Sequence, residues 1–404
     1  MRLRHRKARL RGIARVGVLT VATMGGALLP VAAQADSNVR VYGFAQVDYT
    51  QDFNRVDPNW EDALRPSRIP TTDGTFGEDG NAIISVRQSR FGVEGSQQAG
   101  DHPLFARVEF DFFGTGANEG KVTPRLRHAY GTWGPILVGQ TNTLFMDIDI
   151  FPNTIEYWGP AGMVFLRNPQ LRYTFIDNDE MRFAMALENP SSDPDPGDIR
   201  ILDPALGNNI VAREEIPDLT AAFRYNGDWG HVQAAGVLRN IGFETLGTPD
   251  NEPSDDLIGW GIDLTGSVKV GDRDKFMLGV VFGEGIASYM NDGGVDIAPE
   301  GVPGDLDGES APLTGVSIYY DHYWSDELSS SIGYSQTDLD NRSFQSGDAF
   351  HLGQYASTNL LFTPTENVLF GVEFIYGRRE DFDGNSGEDF RLQFSGKYSF
   401  SGEF

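Results

Sequence analysis

The stretch DFRLQFSGKYSFSGEF, residues 389–404, alternates along its whole length. Phe390, Leu392, Phe394, Tyr398, Phe400 and Phe404 fall on even positions, while Arg391, Gln393, Ser395, Lys397, Ser399 and Ser401 fall on odd ones. Successive side chains of a strand point to opposite faces, so this segment has one apolar face and one polar face. It is long enough to cross a bilayer when tilted, with the apolar face on hydrocarbon and the polar face on an aqueous interior. A half-buried sandwich strand alternates in the same way. Recurrence along the chain therefore has to decide.

The pattern recurs about sixteen times. It places strands near 39–51, 81–95, 103–114, 123–134, 135–141, 168–176, 180–189, 218–227, 229–240, 256–270, 274–288, 312–325, 327–337, 349–363, 366–380 and 389–404. The connections alternate between short and long. Gly134-Pro135, Asp177-Asn178-Asp179, Gly227-Asp228, Gly271-Asp272-Arg273, Ser325-Asp326 and Pro364-Thr365 are tight hairpin signals, and Ser96 to His102 is a longer turn. Between them lie long polar stretches near 52–80, 115–122, 142–167, 190–217, 241–255, 289–311, 338–348 and 381–388. Short turns on one side and long loops on the other are the habit of transmembrane barrels. A sandwich has no reason to sort them so. The fold class expected is all-β, a transmembrane antiparallel barrel. Trp133, Trp229, Tyr323, Trp324, Tyr376 and Phe382 near strand ends suit the aromatic girdles at headgroup depth.

The chain opens on the basic run MRLRHRKARLRGIAR, followed by an uncharged apolar run from Val16 to Ala33 and the triplet Ala33-Gln34-Ala35. That order reads as a signal peptide cleaved after Ala35, with one barrel domain over residues 36–404. Seven of the 32 basic residues and none of the 58 acidic ones lie in the leader, so the mature balance is 25 against 58, or −33. A surface so acidic excludes nucleic acid as a partner. With no cysteine the chain has neither a disulfide framework nor thiolate chemistry.

Ser89-Arg90-Phe91-Gly92-Val93-Glu94-Gly95 and Val39-Arg40-Val41-Tyr42-Gly43 resemble strands common in trimeric Gram-negative porins. Val86-Arg87-Gln88-Ser89-Arg90, Leu126-Arg127-His128-Ala129-Tyr130, Val138-Gly139-Gln140-Thr141 and Arg172-Tyr173 resemble, in this order, the DcaP-like porins. The terminal Phe404 is similar to the signature that the assembly machinery of bacterial outer-membrane barrels reads. The resemblance implies a homotrimer of sixteen-stranded barrels in the Gram-negative outer membrane, in contact with lipid and lipopolysaccharide. It also implies passage of small hydrophilic solutes, often anions such as dicarboxylates, with no cofactor. Few mature residues precede the first strand, so the periplasmic coiled coil of the best-known members is expected to be missing. In general porins the third external loop folds into the lumen. Here that loop is 142–167, unusually apolar for an exposed loop and carrying Asp147, Asp149 and Glu156.

Strand parity then identifies what lines the interior. With Phe91 and Val93 outward, Arg90 points in. Val108, Phe110 and Phe112 outward put Arg107, Glu109 and Asp111 inside, and Leu126 and Tyr130 outward put Arg125 and Arg127 inside. Arg172, Arg182 and Arg224 follow from their apolar neighbours in the same way. An outward arginine at mid-bilayer would cost about 2–4 kcal/mol. Guanidinium forks match carboxylate and phosphate. The expectation is therefore a basic wall of Arg90, Arg107, Arg125, Arg127, Arg172 and Arg182 facing Asp147, Asp149 and Glu156 across a constriction. The alternative is that these arginines pair with Glu94, Glu109 and Asp111 and satisfy a polar interior. Arg87 falls on the outward face, which a bulge or a subunit interface would explain.

Enzyme signatures are missing from the sequence: no Gly-x-Ser-x-Gly, no His-Glu-x-x-His and no phosphate-binding glycine loop. His322 and Ser330, with shared outward parity about the 325–326 hairpin, raise a barrel-lipase alternative, and long loops an adhesin. The acidic loop segments contain no full calcium loop. They read as solvated loop surface, with bridging by divalent ions to a charged outer leaflet as the alternative.

Overall fold

The computed structural model describes residues 37–404; the expected leader lies outside them. Sixteen strands build the wall. They are β1 Asn38–Asp52, β2 in two pieces Asn81–Ser85 and Arg90–Ala99, β3 His102–Phe113, β4 Val122–Trp133, β5 Ile136–Asn142, β6 Arg167–Asp177, β7 Met181–Glu188 and β8 Asp218–Gly227. The second half comprises β9 Gly230–Thr245, β10 Asp255–Val270, β11 Asp274–Glu284, β12 Pro312–Tyr323, β13 Leu328–Leu339, β14 Phe350–Thr365, β15 Val368–Asp381 and β16 Ser386–Glu403. Neighbours in sequence pair antiparallel, and β16 returns to β1 with Arg40 opposite Glu403 and Asp52 opposite Arg391. Closure leaves no strand edge, so the backbone groups of the wall are satisfied within it, as a hydrocarbon surrounding requires.

The wall is inside out relative to a water-soluble domain. In β16, Phe390, Phe394 and Phe400 are exposed, whereas Asp389, Arg391 and Gln393 are buried. The same holds for exposed Phe91, Val108, Leu171, Phe223 and Leu264 against buried Glu109, Asp111, Arg127, Asp263 and Glu373. Trp133, Trp229 and Trp324 stand exposed at the short-turn end. Buried apolar residues collect between the wall and loops folded onto its inner face. One such cluster joins Leu144, Phe145 and Met146 of the third loop to Val281, Ile286 and Tyr289.

Two local departures change what parity alone predicts. First, β2 is broken at 86–89, and there Arg87 turns into the interior. Its guanidinium pairs with Asp62, donates to the Gly114 carbonyl at 3.1 Å and covers the Phe113 ring at 3.9 Å. Neither a subunit interface nor lipid is needed to accommodate it. Second, β4 carries a bulge: Glu109 pairs with His128 but Phe110 with Leu126, which leaves Arg127 unpaired. Leu126 stays outside, yet Tyr130 comes opposite Arg107 and faces the lumen rather than lipid. The Gln140 amide closes the bulge by donating to the Leu126 carbonyl at 3.0 Å. Gly139 sits opposite Tyr130 with φ of +121°, where a Cβ would lie 2.3 Å from the Ala129 carbonyl oxygen. Only glycine fits there.

The long loops carry structure that alternation could not show: helices Ile199–Leu202 and Pro204–Gly207, a short strand Ile210–Arg213 on the end of β9, and a hairpin of Ile297–Val302 with Asp305–Ser310. Arg239, fully buried in β9, ties them down. It pairs with Asp218 at 3.0 Å and Asp296 at 3.2 Å, and also reaches the carbonyls of Gly285 and Ser191. Arg239→Ala would leave two buried carboxylates without their cation, a loss of about 3–5 kcal/mol. The expected result is a clearly lower temperature for the shift from folded to unfolded mobility on a semi-native gel. An unchanged transition would show that this arginine does not hold the loops.

Candidate functional site

The third loop leaves β5 after Asn142 and rejoins the wall at Arg167, and it runs inside the barrel. Its first anchor is Glu188 of β7, which accepts from Thr143 Oγ1 at 2.9 Å and Leu144 N at 3.0 Å. Next, Asp147 accepts from Thr265 Oγ1 at 2.8 Å and Arg224 Nη1 at 3.2 Å, and contacts His231 Nε2 at 2.7 Å. Farther on, Asn359 of β14 donates to the Asn153 carbonyl at 2.8 Å, and Glu373 of β15 accepts from Ile155 N at 2.6 Å. The loop is thus anchored on strands from β7 to β16, and open space remains beside the arginine-bearing strands. Acceptors buried in the anchoring strands were shaped for loop N–H groups, which would otherwise be orphaned.

That space holds two cavities, of about 560 Å³ and about 360 Å³, with Ile148 bordering both. Arg90, Arg125, Arg127, Arg167 and Lys397 border the larger, opposite Phe151, Ile155, Tyr157 and Trp158 of the loop. Arg172, Arg182 and Arg224 border the smaller, with Asp147, Asp149, Tyr130 and Gln233.

The arginines divide by their partners. Arg125 grips Asp111 with two bonds, 3.0 Å and 2.6 Å. Arg127 bridges Glu109 at 2.9 Å and Asp111 at 2.8 Å, and Arg90 lies 3.5 Å from Glu109. Arg107 holds Glu94 at 2.7 Å, shared with Arg40 at 3.1 Å, and borders neither cavity. Arg107, Arg125 and Arg127 have spent much of their donor capacity on carboxylates of the neighbouring strand, whereas Arg90 approaches Glu109 only loosely. Arg172 is different: it donates only to Gln170 Oε1 at 2.9 Å and the Asn142 carbonyl at 2.7 Å. Arg182 borders the smaller cavity with no carboxylate partner among the described residues.

The loop carboxylates do not form one row across from the arginines. Asp147 is latched to β8, β9 and β10, and Asp149 pairs with Arg224 at 2.7 Å. Glu156 accepts from Leu64 N at 2.9 Å, Gly159 N at 2.6 Å and Tyr355 Oη at 3.1 Å, so it braces the loop rather than opposing a guanidinium. Burial pushes the Glu156 carboxyl up, against the pull of those backbone donors.

Three lumen residues escaped the sequence reading. Arg167 was counted as the loop's end, yet it opens β6; its guanidinium covers Phe165 at 4.9 Å and has no carboxylate partner among the described residues. Lys397 stood on the polar face of the last strand, and its ammonium lies 5.4 Å from the Phe44 ring. Tyr157 stacks on Phe113 at 3.9 Å and donates to Asp111 at 2.7 Å, pinning the loop against the arginine wall. No spacing signal marks a loop tyrosine for that contact. Among the described residues no cluster of three His, Asp or Glu stands together to hold a metal.

Comparison with known proteins fits this architecture. Residues 12–400 match the family described as DcaP outer membrane protein. The outer membrane channel DcaP of Acinetobacter baumannii is similar in fold, with a TM-score of 0.75 and 23% identity over 92% of this chain and 100% of that one. The anion-selective porin from Comamonas acidovorans gives 0.56 and 9%, covering 90% and 100%. Outer-membrane OmpT of Vibrio cholerae gives 0.54 and 12%, covering 92% and 100%. No curated protein matches.

Proposed function

Since the chain belongs to the DcaP outer membrane protein family, we propose that this outer-membrane porin works as a homotrimer and favours small anions, dicarboxylates among them, by passive diffusion. One observation carries the anion preference. Arg167, Arg172, Arg182 and Lys397 border the passage, and none has a carboxylate partner among the described residues, so their donors are open to a solute. Arg90, Arg125 and Arg127 set the field of the larger cavity, and Arg107, paired with Glu94, adds its charge from outside both. Asp147, Asp149 and Glu156 hold the loop that narrows it. Charge-assisted bonds to a carboxylate passing between such groups replace part of its lost hydration.

The trimer reading rests on the outward face of β2 to β4. Gly95, Ala106 and Gly131 stand abreast in register, where other strands present leucine and phenylalanine. A row of small residues lets a second wall approach closely, and the remaining circumference faces lipid, with the loops toward lipopolysaccharide.

In a planar bilayer with a KCl gradient, the zero-current potential is expected on the chloride side, with conductance steps in threes. A potential on the potassium side would end the anion reading while leaving the porin reading intact.

A further inference from the structure

At the short-turn end of β11 to β13 the outward face carries a polar group that the channel does not use. Asp274, Tyr320, His322 and Ser330 share the parity of the exposed Phe276, Ile318 and Ile332, so they look onto the membrane rather than the lumen. Asp274 Oδ2 receives Tyr320 Oη at 2.5 Å and contacts His322 Nδ1 at 2.6 Å, while Oδ1 receives only Tyr323 N at 2.9 Å. Ser330 lies directly across the strand pair from His322. Its Oγ accepts from Trp324 Nε1 at 3.0 Å, which leaves its own proton uncommitted, and the Trp324 ring stands edge-on to the imidazole at 4.3 Å.

A carboxylate and an imidazole on the outer face of a membrane wall are costly to desolvate without a polar partner from outside the chain. The protein supplies partners on one side only: Asp274 Oδ1 keeps lone-pair capacity, and His322 Nε2 has no protein partner among the described residues. The surrounding turns are acidic. Arg273 pairs with Asp326 at 2.6 Å, and Asp272, Glu327 and the fully exposed Asp326 carboxylate tip the balance negative.

We propose that this cluster is a docking site for a zwitterionic phospholipid headgroup of the periplasmic leaflet. The headgroup phosphate takes the Ser330 hydroxyl and, when the imidazole is charged, its Nε2–H. The headgroup ammonium takes the open oxygen of Asp274. Trp324 lies along the glycerol level, as interfacial indoles do. The acidic turns disfavour an anionic headgroup, so the site discriminates by charge as well as by depth. His322 and Ser330 thereby have a role in lipid recognition.

Native mass spectrometry of the delipidated barrel, titrated with dioleoyl phosphatidylethanolamine or dioleoyl phosphatidylglycerol, tests this. Wild type is expected to retain phosphatidylethanolamine several-fold more tightly than phosphatidylglycerol, and His322→Ala and Asp274→Asn to lose that preference. Equal retention of the two lipids by wild type overturns the proposal, whatever the variants do. So does an undiminished preference in folded His322→Ala. Channel conductance in the same samples is expected to stay at the wild-type level, so this result is separate from the pore reading.

Discussion

Joint replacement of Arg167, Arg172 and Arg182 by alanine is expected to weaken current block by succinate about 100-fold and to bring the zero-current potential close to zero. The size follows from donor accounting. A bond from a guanidinium to a carboxylate contributes roughly 1.5–3 kcal/mol. Losing two such bonds from a dicarboxylate costs about 3 kcal/mol, and each 1.4 kcal/mol is a factor of about ten in affinity. The control is Arg125→Ala. That arginine also bears a positive charge beside the passage, and its removal shifts the potential. Its donors, however, are held by Asp111 at 3.0 Å and 2.6 Å, so succinate has little to lose there. Block is expected to stay within about threefold of wild type, on the same free-energy scale. If Arg125→Ala weakened succinate block as much as the triple replacement does, uncommitted donors would not be the selective feature, and summed charge alone would explain the preference.

The wall was legible because its physics is periodic. One face of each strand meets hydrocarbon and the other meets water, so Phe390 and Arg391 declare their sides from sequence alone, and a sixteen-stranded barrel follows from counting. The inward side of Arg90, Arg107, Arg125, Arg127, Arg172 and Arg182 is part of the same periodicity. What periodicity cannot carry is an interruption. The break at 86–89 turned Arg87 inward, and the bulge at Arg127 turned Tyr130 inward, each through one register step that leaves composition untouched. Partnership was also hidden. Whether Asp147 faces an arginine across water or is latched to β8 through β10 depends on the path of a non-repeating loop, and that path is set by buried acceptors such as Glu188 and Glu373. Arg167 shows both effects, since an uncertain strand boundary kept it out of the parity test.

The latch at Asp147 gives the second large expected effect, opposite in sign. Asp147→Ala removes the acceptor shared by Arg224 Nη1 at 3.2 Å, Thr265 Oγ1 at 2.8 Å, Asp149 N at 3.1 Å and the His231 imidazole at 2.7 Å. Breaking a buried charged contact of this kind costs about 3–5 kcal/mol locally. The barrel itself survives because its strand ladder is untouched. The first half of the loop then keeps Glu188, the Gln233 bond to the Met146 carbonyl and the contacts of Lys275 and Arg224 with Asp149, but loses its most connected buried latch, so single-channel current is expected to rise by about half or more and to become noisy, on the reasoning that a loosened lining element of low local stability fluctuates. Anion preference should increase, since one carboxylate is gone and Arg224 keeps, besides the Asn226 amide oxygen, only the Asp149 carboxylate, which is half exposed. The pH dependence has the matching sign. Burial alone would raise the Asp147 carboxyl, but the His231, Thr265 and Arg224 contacts outweigh it and hold it below the usual 3.8. Stabilisation from a depressed acid is complete above the ordinary value and is lost only as pH falls through the depressed one. Wild-type conductance is therefore expected to be flat from neutrality down to about pH 5 and to acquire the variant's noise only in stronger acid, given ordinary aspartate titration near 3.9. A quiet, unchanged current from Asp147→Ala would mean that the loop is fixed by its other contacts and that Asp147 merely neutralises Arg224.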